Sequence, residues 1–112
     1  MDGRRRTVDA GRADEANLLT AIASITKLYT AALTLDLAHD GALSLDDPLE
    51  RWLPDAPNAG GVTIRQLLTH TSGLASDDPA LAPVCDPGTC YSYSNSAFNY
   101  LGHVIEKATG QD

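Results

Sequence analysis

Apolar residues at Ile25, Leu28, Tyr29, Ala32, Leu35 and Ala38 recur three and four apart, the spacing of a helical face. Ser24 stands at the head of this run as an N-cap or first-turn residue. His39 falls in the last turn and Gly41 follows as a stop. The spacing therefore predicts a helix from about Ser24 to His39. It is apolar on more than one side, as a buried helix is. Thr20-Ala21-Ile22-Ala23 forms a short apolar approach to it. Residues 1–19, polar and charged as far as Asn17, read as a lead-in or strand remnant, and residues 20–112 as the domain proper.

Further along, Asp47 before Pro48 is a helix-start signal: an N-cap carboxylate followed by a proline in the first turn. The short helix it predicts runs to Trp52-Leu53 and stops at Pro54. Thr63 caps a second short helix over Ile64 to His70, with Leu67 and Leu68 facing inward and Gly73 beyond its end. Asp77-Asp78-Pro79 repeats the start signal for a single turn. Helix capping explains both Asp-Asp-Pro runs without a bound cation. Residues 86–89 form a turn and Tyr91 to Ser94 an extended segment. Ser94 or Asn95 then caps a last helix, whose stripe is Ala97, Phe98, Leu101, Val104, Ile105 and Ala108, closed by Gly110. The pattern is mainly α, with little strand, no internal repeat and no linker.

At 112 residues the chain has room for one small domain. Its formal net charge of -7 argues against nucleic acid, whose phosphates call for basic surfaces, and against an anionic membrane surface. No apolar run approaches a membrane span in length. Arg4, Arg5 and Arg6 precede a polar stretch, Thr7 to Asp14, where an export signal needs an apolar one. Cys85 and Cys90 flank the Pro87-Gly88 turn. Two readings stand for them: a disulfide, if the chain meets an oxidising compartment, or two reduced thiols. With no His or Cys partner at metal spacing they make no zinc site, and no cofactor or metal is expected.

Two constellations carry chemistry. Ser24 and Lys27 lie three apart on one helical face, so the amine can reach the hydroxyl and help remove its proton. Alone, this pairing also fits a helix-start serine beside a surface lysine. Tyr93-Ser94-Asn95 lies at an extended-to-helix junction. A tyrosine there can act as acid or base when a cation such as Lys27 is near, and an asparagine there can grip an amide. Alone, this triplet fits a packed tyrosine and a capping asparagine. His70, Thr71 and Ser72 suggest a triad, but the first glycine of a nucleophile elbow is lacking, and a structural turn is the simpler reading. His39 and His103 are isolated, as surface or helix-end residues are.

Together these pieces resemble the penicillin-recognising serine hydrolases, in the branch with class C β-lactamases, D-alanyl-D-alanine carboxypeptidases and related esterases. The resemblance rests on Ser24-Ile25-Thr26-Lys27, the Asp40 to Pro48 stretch, Ile64 to Leu74, Pro87-Gly88-Thr89, Tyr93-Ser94-Asn95, Tyr100-Leu101-Gly102 and Ile105 to Gly110. Tyr-Ser-Asn stands where other branches have Ser-Asp-Asn. The resemblance implies the helical region of the α/β (α+β) β-lactamase/transpeptidase-like fold, with most of the antiparallel sheet missing. It implies an acyl-enzyme on Ser24, with Lys27 relaying the proton and Tyr93 as general base. Asn95 would bind a substrate amide and orient Lys27. The Ser24 N–H, at a helix N-terminus, would form half of an oxyanion hole. Substrates would be small molecules or peptides bearing an amide, lactam or ester.

The family's third motif, Lys-Thr-Gly or His-x-Gly, is absent, since Lys107-Ala108-Thr109-Gly110 has an extra residue and ends a helix. The expectation is a partial site, poorly active alone, on a domain that self-associates through uncovered apolar surface. The alternative is a non-catalytic binding or scaffold domain. The family often works outside the cytoplasm, although this chain shows no export signal.

Overall fold

A computed structural model describes the backbone of residues 2–110 and the side chains of residues 15–110. The chain runs through four helices: α1 (Asp2–His39), α2 (Leu49–Trp52), α3 (Ile64–Leu68) and α4 (Asn95–Thr109). Among the described residues there is no strand. A single antiparallel bridge between Pro48 and Thr63 ties the starts of α2 and α3.

The last helix organises the rest. α1, α2 and α3 all pack against α4. Ser94 caps it by accepting the Ala97 N–H, and Gly110 closes it in the left-handed region at φ 74°. Ala97, Tyr100, Leu101 and Val104 of α4 meet Leu43, Leu49, Val62, Ile64, Leu67 and Leu74 in one buried core. The Tyr100 hydroxyl keeps a partner there by donating to the Pro57 carbonyl. α3 starts as expected, with a reciprocal capping box between Thr63 and Gln66, but stops at Leu68.

The first helix departs from the sequence-based expectation in three ways. It begins at Asp2, so the lead-in or strand remnant over residues 1–19 is helix wherever it is described, and Ser24 is not at a helix start. The physical reason is the lack of any proline before His39 together with many good helix formers (Ala, Arg, Leu, Glu), which outweigh Gly3 and Gly11. The apolar spacing also continues backwards from Ile25 through Ile22 to Leu18. Secondly, most of the described face of α1 is uncovered: Leu18, Leu19, Ile22, Ile25, Leu28, Tyr29 and Leu35 are exposed, while Thr34 is buried and Leu37 and Ala38 pack against the core. Thirdly, once the helix is continuous, Glu15–His39 is long and apolar enough to cross a membrane by length and composition, at mean hydropathy 1.5 over an 18-residue window. The charges at Glu15, Lys27 and Asp36 hide this in a search for unbroken apolar runs. A core helix passes the same test.

Asp47 also plays a different part from the one its position suggests. Pro48 is the N-cap of α2, and no side chain caps the helix. The nearly buried Asp47 carboxylate instead accepts from the Ser44 N–H at 2.9 Å, the Trp52 indole N–H at 3.1 Å and Arg51 at 3.2 Å. The Ser44 bond chiefly holds its carboxyl below the usual carboxylate range; burial opposes, and Trp52 and Arg51 assist.

The loop between α3 and α4 is laced to the turn at residues 70–73. Ser92, Gly88 and Val84 donate their N–H groups to the carbonyls of His70, Thr71 and Gly73. Cys85 and Cys90 are joined by a disulfide within this loop. Gly73 has φ 82°, and a Cβ there would lie 2.1 Å from the Cys85 carbonyl oxygen.

Two substitutions test this framework. Asp47→Ala leaves the Trp52 and Ser44 donors without partners and should lower stability by about 2–3 kcal/mol in urea denaturation. Because the folded pKa of Asp47 is depressed, its contribution is present above the ordinary value of 3.8 and is lost as pH falls through the lower folded value. Asp47→Asn should flatten that acid limb. Gly73→Ala combines left-handed strain with a backbone clash, and should cost at least about 2 kcal/mol, read as a fall in Tm.

Candidate active site

Ser24 and Lys27 project from one face of α1, three residues apart. Tyr93 comes from the extended segment before α4. The three side chains, with Leu28, Ala31, Leu68, His70 and Phe98, line one recess of about 390 Å³. Lys27 Nζ sits over the Tyr93 ring, 5.3 Å from its centroid, within cation–π range. The structure thus brings Ser24, Lys27 and Tyr93 to the lining of one recess.

Asn95 lies next door. It lines a second, larger cleft between α1 and α4, of about 710 Å³, which shares Lys27 and Phe98 with the first. Its side-chain N–H donates to Asp77 at 2.7 Å. The amide is thus anchored to the Asp77 turn, and the expected orientation of Lys27 by Asn95 does not come from that donor. Its oxygen is the side chain's acceptor, and the amide nitrogen keeps a second hydrogen.

Ser24 is exposed and lies well inside α1. Its N–H belongs to the interior of a helix, where the ladder of i to i−4 bonds uses it. The expected oxyanion donor and helix-end potential at Ser24 are therefore not formed in this structure. The cause is the unbroken helix that precedes it.

The structure adds one residue that the sequence set aside. His70 enters the recess from the turn after α3, in the left-handed region at φ 58°. Its ring stacks on Tyr93 at 4.4 Å and on Phe98 at 5.1 Å, and meets Tyr91 edge-on at 5.9 Å. Its Nδ1 accepts the Ser94 N–H at 3.0 Å, which assigns the ring proton to Nε2. Burial, then the nearby Lys27 charge, hold its pKa below the ordinary 6.5. The signal was its place in Thr69-His70-Thr71-Ser72-Gly73, but only the fold brings it to residues some twenty positions later. Ser72, by contrast, is buried, and its hydroxyl accepts the Leu74 N–H inside the turn. His103 pairs with Glu106 at 3.1 Å on the surface of α4, and His39 is exposed at the end of α1. Among the described residues no cluster of three or more His, Cys, Asp or Glu could hold a metal.

A family profile described as Beta-lactamase matches residues 2–112. The chain is 37% identical to penicillin-binding protein 4 of Amycolatopsis lactamdurans, over 79% of this chain and 29% of that protein. It is 37% identical to esterase EstB of Burkholderia gladioli, over 92% of this chain and 36% of that one. Among solved structures it is similar to the D-alanine carboxypeptidase AmpC from Burkholderia cenocepacia, at 41% identity and a TM-score of 0.69, over 80% of this chain and 28% of that one. The chain thus spans about a third or less of the length of these proteins. A profile covering nearly every residue, set on this helical architecture, shows that the chain belongs to the beta-lactamase family.

Proposed function

We propose that this chain carries the nucleophile and base of a serine acyl-transfer site for amides, lactams or esters. The observation that carries the reading is that Ser24, Lys27 and Tyr93 line a single recess, with a cation held over the phenol ring. Family membership and the names of the similar proteins, a penicillin-binding protein, an esterase and a carboxypeptidase, favour the same substrate classes.

In this reading the Ser24 hydroxyl attacks the substrate carbonyl while its proton passes to the Lys27–Tyr93 pair. The tetrahedral intermediate collapses, the acyl group stays on Ser24 Oγ, and the leaving nitrogen or oxygen takes the proton back. Water, activated by Tyr93, then attacks the ester and frees the acid and the serine. Asn95, which lines the adjoining cleft, receives the substrate amide. The family's third motif is not among these residues, and the Ser24 N–H is engaged in helix. Losing one oxyanion donor typically slows acyl transfer by about 10²–10³. The chain by itself is therefore a slow acylation unit with poor turnover. Its uncovered α1 face, with Leu18, Leu19, Ile22 and Ile25 exposed, favours self-association.

Two measurements test this. Purified chain incubated with a fluorescent penicillin, or with a p-nitrophenyl ester, should gain one acyl group on Ser24 by peptide mass spectrometry, and Ser24→Ala should gain none. Equal labelling of that variant, or no acylation by either reagent, would sink the proposal; rapid nitrocefin hydrolysis would refute the poor turnover. In sedimentation velocity the chain should show concentration-dependent association that Ile22→Glu with Ile25→Glu abolishes, whereas a monomer at all concentrations would refute self-association.

A further inference from the structure

His70 grips the segment around Tyr93 in three places. Its carbonyl accepts the Ser92 N–H at 2.8 Å, and its Nδ1 accepts the Ser94 N–H at 3.0 Å. These bonds fix the backbone on both sides of Tyr93. Between them the imidazole lies nearly parallel to the phenol ring, 4.4 Å away and tilted by 23°. Phe98 of α4 stacks on the same imidazole at 24°, so the ring is wedged between the segment and the helix. The left-handed backbone at φ 58° is costly for a residue with a Cβ and persists only where surrounding contacts enforce it. Here the conformation accompanies the convergence of ring and carbonyl on one short segment.

We infer that His70 is the positioning residue for Tyr93: its neutral imidazole, through Nδ1 and ring stacking, holds the phenol ring beneath Lys27, and protonation releases it. The inference rests on the proposed role of Tyr93 in acyl transfer. A protonated Nδ1 is a donor, and would face the Ser94 N–H donor to donor. Around the ring, α1 contributes Lys27, whose positive charge opposes protonation. The extended segment contributes the phenols of Tyr91 and Tyr93. α3 and α4 contribute the apolar Leu68 and Phe98. Burial and Lys27 thus act in the same direction, keeping the imidazole neutral at neutral pH. Because the folded pKa is depressed, the grip is complete above the ordinary value of 6.5 and is lost as pH falls through the lower folded value.

The coupling can be read directly on the 112-residue chain carrying ¹⁵N and tyrosine ¹³Cζ labels. As pH is lowered from about 8 to about 5, the Ser94 amide and the Tyr93 ¹³Cζ resonances should move with the His70 imidazole at one shared midpoint, while Tyr29 and Tyr100 stay still. The Ser94 amide should lose about tenfold in exchange protection across that step, the loss of one hydrogen bond. His70→Asn keeps a residue type at ease in the left-handed region. It should remain folded by its amide spectrum and abolish the shared step. Flat Ser94 and Tyr93 signals through the His70 titration of the unaltered chain would overturn the inference, as would persistence of the step in His70→Asn. The titration needs no substrate. An unlabelled Ser24 with the coupled step intact would therefore defeat the reaction and leave the positioning standing, and a labelled Ser24 with flat resonances would do the reverse.

Discussion

Everything at the site depends on one contact between parts of the chain far apart in sequence: the Lys27 ammonium over the Tyr93 ring. It joins the longest helix to the turn that opens the last one. A cation over a partly exposed aromatic face contributes about 0.5–1 kcal/mol, too little to hold two elements together unaided. The contact survives because each partner is fixed by something stronger. Lys27 sits on α1, whose end packs against the core. Tyr93 is bracketed by backbone bonds to His70 and precedes a helix whose inner face is fully buried. The recess is therefore a by-product of how α4 is seated, and α4 is in turn seated by the core that α2, α3 and their loops build around it.

In the proposed reading, one requirement separates this constellation from a working catalyst. Lining one recess with hydroxyl, amine and phenol meets the first demand of the proposed reaction. It does not supply donors aimed at a developing oxyanion, which usually form the largest electrostatic contribution to acyl transfer. A nucleophile in the interior of a helix has its own N–H committed elsewhere. Helix continuity before Ser24 thus decides a chemical question as well as a structural one.

Much of this was legible in the sequence, for specific reasons. α4 could be read because its apolar stripe, serine cap and terminal glycine all agree. The capping box at Thr63 and Gln66 is equally local. Ser24 and Lys27 could be paired because neighbours on one helical face need no tertiary information. What failed was what local pattern cannot carry. The start of α1 lies earlier than its polar composition suggests, because polarity alone does not break a helix and no proline stands there, although Gly3 and Gly11 weaken it. Its exposure was missed because an apolar periodicity says that a face seeks cover, not that cover is present. Asp47 has the position of a cap, but its carboxylate serves an indole and a preceding backbone N–H. His70 stayed hidden because its partners, Tyr93, Ser94 and Phe98, reach it only across the folded loop.

That loop is held with unusual economy. Three successive anchors, at Val84, Gly88 and Ser92, attach it to the carbonyls of Gly73, Thr71 and His70, and the short covalent ring from Cys85 to Cys90 encloses the middle one. A small ring leaves its enclosed residues few conformations even before the chain folds. The segment therefore docks more as a preformed clip than as a flexible tether, and the thiol chemistry of the surroundings acts on the same strip of backbone that leads into the Tyr93 turn.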